Sequence, residues 1–175
     1  MTLSPADPVE DFTLPDTDGN SVRLAPADAD ATVVAFTCNH CPYALAWHDR
    51  LNDVAREYAP RGVRLLFVNA NDATRYPRDS AEAMKARVDR GQFAAPYLHD
   101  ESQAVARAWG ARTTPDIFVV DRDGILAYRG APDADHGDPA LRAQWLRSAL
   151  EAVLAGRPVA QPETEPVGCS IKWRA

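Results

Sequence analysis

The amino-acid sequence predicts an α/β protein built in layers of helix and sheet. Strand and helix signals alternate along the chain, and two short apolar runs, residues 31–37 and 63–69, have the composition of strands buried on both faces. Between them lies a segment whose apolar residues recur every three or four positions, as in an amphipathic helix. Such alternation favours helices packed against a sheet.

The first predicted element is a hairpin over residues 11–24. Its turn is marked by Asp18-Gly19, because glycine readily takes the positive φ that tight hairpin turns require. The helix between the two buried strands presents an apolar face from Ala44 to Tyr58 and is ended by Pro60.

The second half of the chain continues the alternation of helices and strands. Its predicted elements are, in order, a helix from Ser80 to about Gly91, an extended piece over residues 96–98, a helix over 102–109, an antiparallel hairpin of 116–120 and 125–128, and a final helix over 140–155.

The length of 175 residues suits one domain with a sizeable core. We predict a domain over residues 1–156 and a proline-containing tail over 157–175. The tail is expected to lie on the surface or to be mobile.

Composition excludes several classes of partner. Nineteen Lys and Arg residues against 25 Asp and Glu give a formal net charge of −6, which disfavours binding to nucleic acid. No apolar run approaches the roughly 18 residues that a membrane span needs. Residues 1–11 lack the basic and apolar stretches of a secretory signal, so the protein is expected to be cytoplasmic. Three cysteines do not form a disulfide scaffold, and their spacing suggests redox chemistry or metal binding.

Residues 38–42 carry the clearest chemical signal. Cys38 is expected just ahead of the helix or in its first turn, where free backbone N–H groups and the helix dipole favour a thiolate. Cys41 follows three residues later, close enough for a reversible disulfide. His40 can add positive charge when protonated, and Pro42 suits the first helical turn.

Two alternatives to redox chemistry stay open at this point. The cysteines could be small buried apolar residues, but the polar Asn39 and His40 between them argue against it. They could bind a metal, but no second paired cluster is present to complete a site. The other candidate ligands are His48, His99, His136 and Cys169. We assign no metal and no other cofactor.

The chain resembles thioredoxin-like and peroxiredoxin-like proteins of the AhpC/TSA, or redoxin, class. The resemblance rests on a set of motifs that occur in order along nearly the whole chain: residues 11–14, the Cys-Asn-His-Cys-Pro-Tyr of 38–43, residues 68–72, 76–80, 96–98, the Arg-Thr-Thr-Pro-Asp of 112–116 and the Gly-Cys-Ser-Ile-Lys-Trp of 168–173. It implies a thioredoxin fold, with a central mixed sheet flanked by helices, an N-terminal β-hairpin and a C-terminal tail.

The resemblance also implies roles for residues far from the cysteine pair. The residues alone favour a trans Thr114–Pro115 bond, whereas the resemblance implies that this bond is cis and faces the two sulfurs. The backbone of Thr114 would then be free to pair with an extended substrate. Arg112 could stabilise a thiolate or be an ordinary loop residue. Cys169 could be a spare surface thiol or a third redox cysteine.

One departure from the peroxiredoxin pattern concerns the peroxide site. The main classes carry Pro-x-x-x-Thr/Ser-x-x-Cys, and here Ala31 and Ala35 occupy the proline and hydroxyl positions. The orienting hydroxyl is therefore missing unless Thr37 replaces it.

We therefore predict a thiol–disulfide oxidoreductase in which Cys38 is the nucleophile and Cys41 resolves, acting in redox homeostasis. The alternative is a thiol-dependent peroxidase, and a metal-handling module is a third reading. The implied partners are protein or small-molecule disulfides, or hydroperoxides, together with an external thiol reductant.

Overall fold

A computed structural model describes residues 3–175. The strands and helices are, in chain order, β1 (Thr13–Pro15), β2 (Ser21–Arg23), β3 (Ala31–Phe36), α1 (Pro42–Tyr58), β4 (Val63–Asn69), α2 (Ala81–Asp89), β5 (Tyr97–His99), α3 (Ala104–Trp109), β6 (Thr113–Thr114), β7 (Asp116–Asp121), β8 (Leu126–Gly130), α4 (Gln144–Leu154) and β9 (Cys169–Ser170). The predicted alternation of strands and helices is confirmed.

The central sheet has five strands in the order β5-β4-β3-β7-β8. Strand β3 is parallel to β4 and antiparallel to β7, so the sheet is mixed. The short strands β1 and β2 form the predicted N-terminal hairpin. Strands β6 and β9 form a separate antiparallel pair that joins the tail to the segment preceding β7.

Apolar residues alternate between the two faces of the sheet because successive side chains on a strand point in opposite directions. In β3, Val33 and Ala35 pack with α1 and α4, whereas Val34 and Phe36 pack with α3 and the N-terminal hairpin. The central strands are therefore buried on both faces, as their apolar composition predicts.

Two helix starts differ from the sequence-based boundaries. The last helix begins at Gln144 rather than 140, because residues 139–141 form a single 3₁₀ turn and Arg142 and Ala143 take positive φ values of 53° and 55°. Helix α3 begins at Ala104 rather than 102, after Gln103 at φ 66°. No helix in residues 3–175 is long and apolar enough to cross a membrane.

The C-terminal tail is anchored to the body of the protein, so the expectation that it could be mobile is corrected. The Thr164 backbone N–H donates to Arg129 O, and its hydroxyl accepts from Ala131 N–H. Further on, Ile171 is buried in the core on the α3 side of the sheet. These contacts, on either side of residues 165–170, fix the path of the tail across the protein.

Candidate active site

The two cysteines of the Cys-Asn-His-Cys motif lie where β3 gives way to α1. Strand β3 ends at Phe36, and Thr37 N–H still donates to Val68 O at 2.8 Å. Helix α1 begins at Pro42, so Cys41 is its N-cap residue and Cys38 precedes the helix. The start of the helix therefore acts directly on Cys41, whereas the sequence analysis expected it to act on Cys38.

The sulfurs of Cys38 and Cys41 lie together beneath the surface. Cys38 is 1% exposed and Cys41 is 0% exposed, and they form one apolar cluster with Ala44. The two thiols hydrogen-bond to each other. Tyr43 and Cys169, both partly buried, pack against this cluster. All three cysteines are free thiols in the structure.

The Thr114–Pro115 peptide bond is cis, as the resemblance implies, and it faces the cysteine pair. Thr114 Oγ1 lies 3.4 Å from Cys38 Sγ, and Cys41 Sγ donates to Thr114 O at 3.2 Å. Thr114 therefore touches both sulfurs, one through its hydroxyl and the other through its carbonyl.

The reduced pair shares its protons unequally. The hydrogen bond from Cys38 lowers the pKa of Cys41 to about 4, against the opposing effect of burial and with help from Cys169 and the Ala44 N–H of α1. The same thiol–thiol bond, burial and the nearby Asp79 carboxylate raise the pKa of Cys38. The pair thus loses a first proton readily and holds the second.

His40 lies between the cysteines in sequence but turns toward a buried carboxylate. Its Nδ1 lies 2.6 Å from Asp79 Oδ2. Its ring stacks on Tyr76, with centroids 5.7 Å apart and planes 5° from parallel. The side chain is 19% exposed, so His40 connects the buried site to solvent.

Asp79 is the main residue of the site that was not predicted from the sequence. Its side chain is completely buried, and Oδ1 accepts from Asn39 N–H at 2.7 Å and from Asn69 Nδ2 at 3.0 Å. Its Oδ2 accepts from Asn71 Nδ2 at 3.0 Å. Asp79 therefore holds the loop between the cysteines through both Asn39 and His40.

The C-terminal tail covers the cysteine pair along the edge of Thr114. Thr114 and Cys169 are register partners in the β6–β9 ladder, and Cys169 packs against the cluster that contains Cys41. Gly168 passes so close to the cis-proline turn that a Cβ atom there would overlap the Thr114 carbonyl. A glycine before Cys169 is thus a packing requirement, and it is the sequence signal that could have located this contact.

The remaining predicted site residues lie further from the sulfurs or have other partners. Thr37 is buried, and its only described hydrogen bond is the backbone bond to Val68. The Arg112 side chain is 53% exposed and lies 3.9 Å from Glu165 of the tail. Thr114, rather than Thr37, brings a hydroxyl to Cys38.

One group of side chains has ligand atoms close enough for a metal ion. Atoms of Cys38, His40 and Asp79 all lie within 4.8 Å of one another. The Asp79 oxygens already accept from three N–H donors, so its carboxylate is used by the protein itself. Of the other candidate ligands, His48 lies by Gln92 O, and the ring of His136 packs at a tilt against that of Tyr43. We assign no metal to this group.

Comparison with known proteins assigns the chain to a class. The whole chain superposes on the crystal structure of a hypothetical protein from Sinorhizobium meliloti 1021, with a TM-score of 0.93, 38% identity and 97% of that chain covered. It superposes with a TM-score of 0.63 and 16% identity on the thioredoxin domain of a thiol-disulfide oxidoreductase from Bacteroides vulgatus, covering 74% of this chain and 90% of that one. The fold is a thioredoxin fold.

Sequence comparison gives the family. Residues 5–129 match the AhpC/TSA family, and the chain belongs to it. A 95-residue segment, 54% of this chain, is 33% identical to the thiol:disulfide interchange protein DsbE of Haemophilus influenzae and covers 47% of that protein. The chain spans about half to two thirds of the length of the first curated relatives it matches. Two of these relatives are named thiol:disulfide interchange protein DsbE, and one is named thiol-disulfide oxidoreductase ResA.

Proposed function

We propose that the protein is a thiol–disulfide oxidoreductase that uses Cys38 and Cys41 as its redox pair. The observation that carries this proposal is the contact between the two thiols at the start of α1, opposite the cis Thr114–Pro115 bond. The contact lowers the pKa of one thiol in the pair, and the second thiol is its immediate neighbour. This is the arrangement that dithiol–disulfide cycling requires.

The order of attack is the finer part of the proposal. The cysteine pair loses one proton readily, and the charge that results is shared between the two sulfurs. Transfer of the shared proton from Cys38 to Cys41 makes Cys38 the thiolate. The Thr114 hydroxyl and the His40 backbone N–H then stabilise Cys38, and the new Cys41 thiol donates to Thr114 O.

Each step of the exchange conserves atoms and electrons. The Cys38 thiolate attacks one sulfur of a substrate disulfide, and the other substrate sulfur leaves as a thiolate. Cys41 then loses its proton to solvent and attacks Cys38, forming the Cys38–Cys41 disulfide and releasing the second substrate thiolate. An external thiol reductant returns the pair to the dithiol form.

Insulin reduction with glutathione as electron donor tests the proposal. We expect Cys38→Ser and Cys41→Ser to abolish activity and the exposed Ser170→Ala to retain it. Cys41→Ser should instead accumulate a mixed disulfide with the substrate at Cys38. Full insulin reduction by either cysteine variant would overturn the proposal.

The peroxidase alternative keeps one supporting observation. Thr114 Oγ1, at 3.4 Å from Cys38 Sγ, supplies a hydroxyl that the positions of Ala31 and Ala35 do not. A peroxide would oxidise Cys38 to a sulfenic acid, which Cys41 would resolve with loss of water. Stopped-flow measurement with hydrogen peroxide decides, since a rate no higher than that of free cysteine leaves disulfide exchange alone.

A further inference from the structure

Three sulfurs meet at this site, and the third belongs to the tail. Cys169 packs against the cluster of Cys38 and Cys41, and it pairs in the β6–β9 ladder with Thr114, whose carbonyl accepts from Cys41, so Cys169 lies beside Cys41. Cys169 is the most exposed of the three, because Cys38 and Cys41 are buried while Cys169 is partly accessible. Any molecule that approaches Cys41 along the Thr114 edge meets the tail first.

The backbone holds Cys169 in register against the site. Strand β9 pairs Cys169 with Thr114 and Ser170 with Thr113. Next along the tail, Ile171 N–H donates to Arg112 O at 3.0 Å, and Lys172 N–H donates to Asn71 Oδ1 at 2.9 Å. Side chains alternate along a strand, so the Cys169 side chain faces the cysteine pair and that of Ser170 faces away and is exposed.

We propose that Cys169 is a third redox residue, which replaces Cys38 as the disulfide partner of Cys41. The oxidised protein then holds its disulfide either within the Cys38–Cys41 pair or between Cys41 and the tail. The second form fixes β9 covalently over the edge of Thr114 and releases Cys38 as a thiol. This inference rests on the proposed function, because the disulfide that migrates is the one formed by disulfide exchange.

The migration needs no further oxidant. The Cys169 thiol gives up its proton, and its thiolate attacks Cys41 Sγ of the Cys38–Cys41 disulfide. The Cys41–Cys169 bond forms as the Cys38–Cys41 bond breaks, and Cys38 leaves as a thiolate that takes up a proton. Thr114 Oγ1, 3.4 Å from Cys38 Sγ, is placed to stabilise this leaving thiolate.

The decisive experiment traps the tail disulfide in the full chain. Cys38→Ser leaves Cys41 and Cys169, and Cys41→Ser leaves Cys38 and Cys169. Each is oxidised with glutathione disulfide under native conditions, alkylated and mapped by mass spectrometry without reduction. We expect Cys38→Ser to form Cys41–Cys169 at least tenfold faster than Cys41→Ser forms Cys38–Cys169, because Cys169 pairs with Thr114, whose carbonyl accepts from Cys41.

A matched control moves the tail thiol to the other face of β9. Adding Cys169→Ser and Ser170→Cys to the Cys38→Ser chain keeps the number of thiols and shifts one of them by a single residue. This protein should lose the intrachain link. Equal linkage in this control, or only glutathione mixed disulfides in Cys38→Ser, would overturn the inference.

The wild-type protein provides a second measurement if Cys38→Ser does not fold. After partial oxidation, the peptide map should contain both Cys38–Cys41 and Cys41–Cys169, and alkylated Cys38 should increase with the second. A map with Cys38–Cys41 alone contradicts the inference. Insulin reduction by wild type reports separately on the proposed function, so the two can fail independently.

Discussion

Two buried carboxylates near the cysteine pair are held very differently: Asp79 contacts the loop between the cysteines, and Asp116 directly follows the cis Pro115. Asp79 accepts from three N–H donors and contacts His40. Asp116 accepts one backbone N–H, from Arg112, lies 3.6 Å from Arg129, and leaves Oδ1 without a partner. Asp79 thus ties down the loop between the cysteines, whereas Asp116 supports the side to which the tail attaches.

The difference between the carboxylates shows which side of the site is fixed and which can change. Burial raises the pKa of Asp116 to about 6 despite the Arg112 N–H and the Arg129 guanidinium. The backbone of Arg129 in turn bonds to Pro162 and Thr164 of the tail. Both oxygens of Asp79 therefore have hydrogen-bond partners, whereas the charge of Asp116, on the side where the tail attaches, changes with pH.

The largest expected effect is the loss of stability when the hydrogen bonds to Asp79 are broken. Asp79→Asn places an amide group where three N–H donors converge, so at least one donor loses its partner. We expect a loss of about 3 kcal/mol in the free energy of unfolding, measured by urea denaturation. Asp89→Asn, on the exposed face of α2, is the control. Equal stability of the two variants would contradict the assigned role of Asp79.

A comparably large change in stability should result from the titration of Asp116. Burial raises the pKa of Asp116 in the folded chain to about 6, above its ordinary value of 3.8. The folded state therefore binds more protons at Asp116 between these pH values, and the contribution of Asp116 to the free energy of unfolding falls as pH rises through them. The loss is on the order of 3 kcal/mol.

Urea denaturation at a series of pH values measures this dependence. Asp116→Asn removes the titrating group, so the stability of the wild type relative to that of the variant should fall between about pH 4 and pH 6, while the opposing contribution of Cys41 is common to both proteins. Above pH 6 the variant should not share the wild-type loss, because it has no carboxyl group to ionise at this buried position. An unchanged pH slope in the variant would show that Asp116 is not its source.

A smaller effect should appear when the tail is pushed away from Thr114. Gly168→Ala introduces a Cβ that overlaps the Thr114 carbonyl, so β9 must shift and one or two backbone bonds of about 1 kcal/mol each are lost. We expect faster alkylation of Cys41 by iodoacetamide and a loss of about 1–2 kcal/mol in the free energy of unfolding. Gly137→Ala, in an exposed loop, serves as control; equal alkylation rates would mean that the tail does not shield the pair.

The smallest effect is expected for Arg112. Its guanidinium is half exposed and reaches only Glu165, at 3.9 Å. Arg112→Ala should change the free energy of unfolding by about 0–0.5 kcal/mol and leave the thiolate absorbance of the pair unchanged. A shift in that titration would instead restore Arg112 as a residue that stabilises the thiolate.

The sequence predicts the elements that create the site better than the contacts that hold it. The apolar runs of β3 and β4 and the periodic face of α1 determine where Cys38 and Cys41 fall. These are local patterns, readable from neighbouring residues. The cis bond at Pro115 followed from a family resemblance, since the residues alone favoured trans.

Long-range contacts account for what was missed. Asp79 lies 40 residues from Asn39 along the chain, and no local pattern distinguishes it from the exposed acidic residues near it. The tail has the prolines of a loose segment, and its order comes from partners far away in sequence, such as Arg129 for Thr164. The exact start of α1 decided which cysteine caps the helix, and helix ends are the least certain part of a sequence-based boundary.

The side chain of Asn71 bonds to two parts of the molecule, the C-terminal tail and the buried Asp79. Its Oδ1 accepts from Lys172 N–H at 2.9 Å while its Nδ2 donates to Asp79 Oδ2 at 3.0 Å. The side-chain amide of Asn71 thus connects the C-terminal tail to Asp79, which in turn contacts His40. Displacement of the tail would remove one of the two hydrogen bonds that orient this amide beside Asp79.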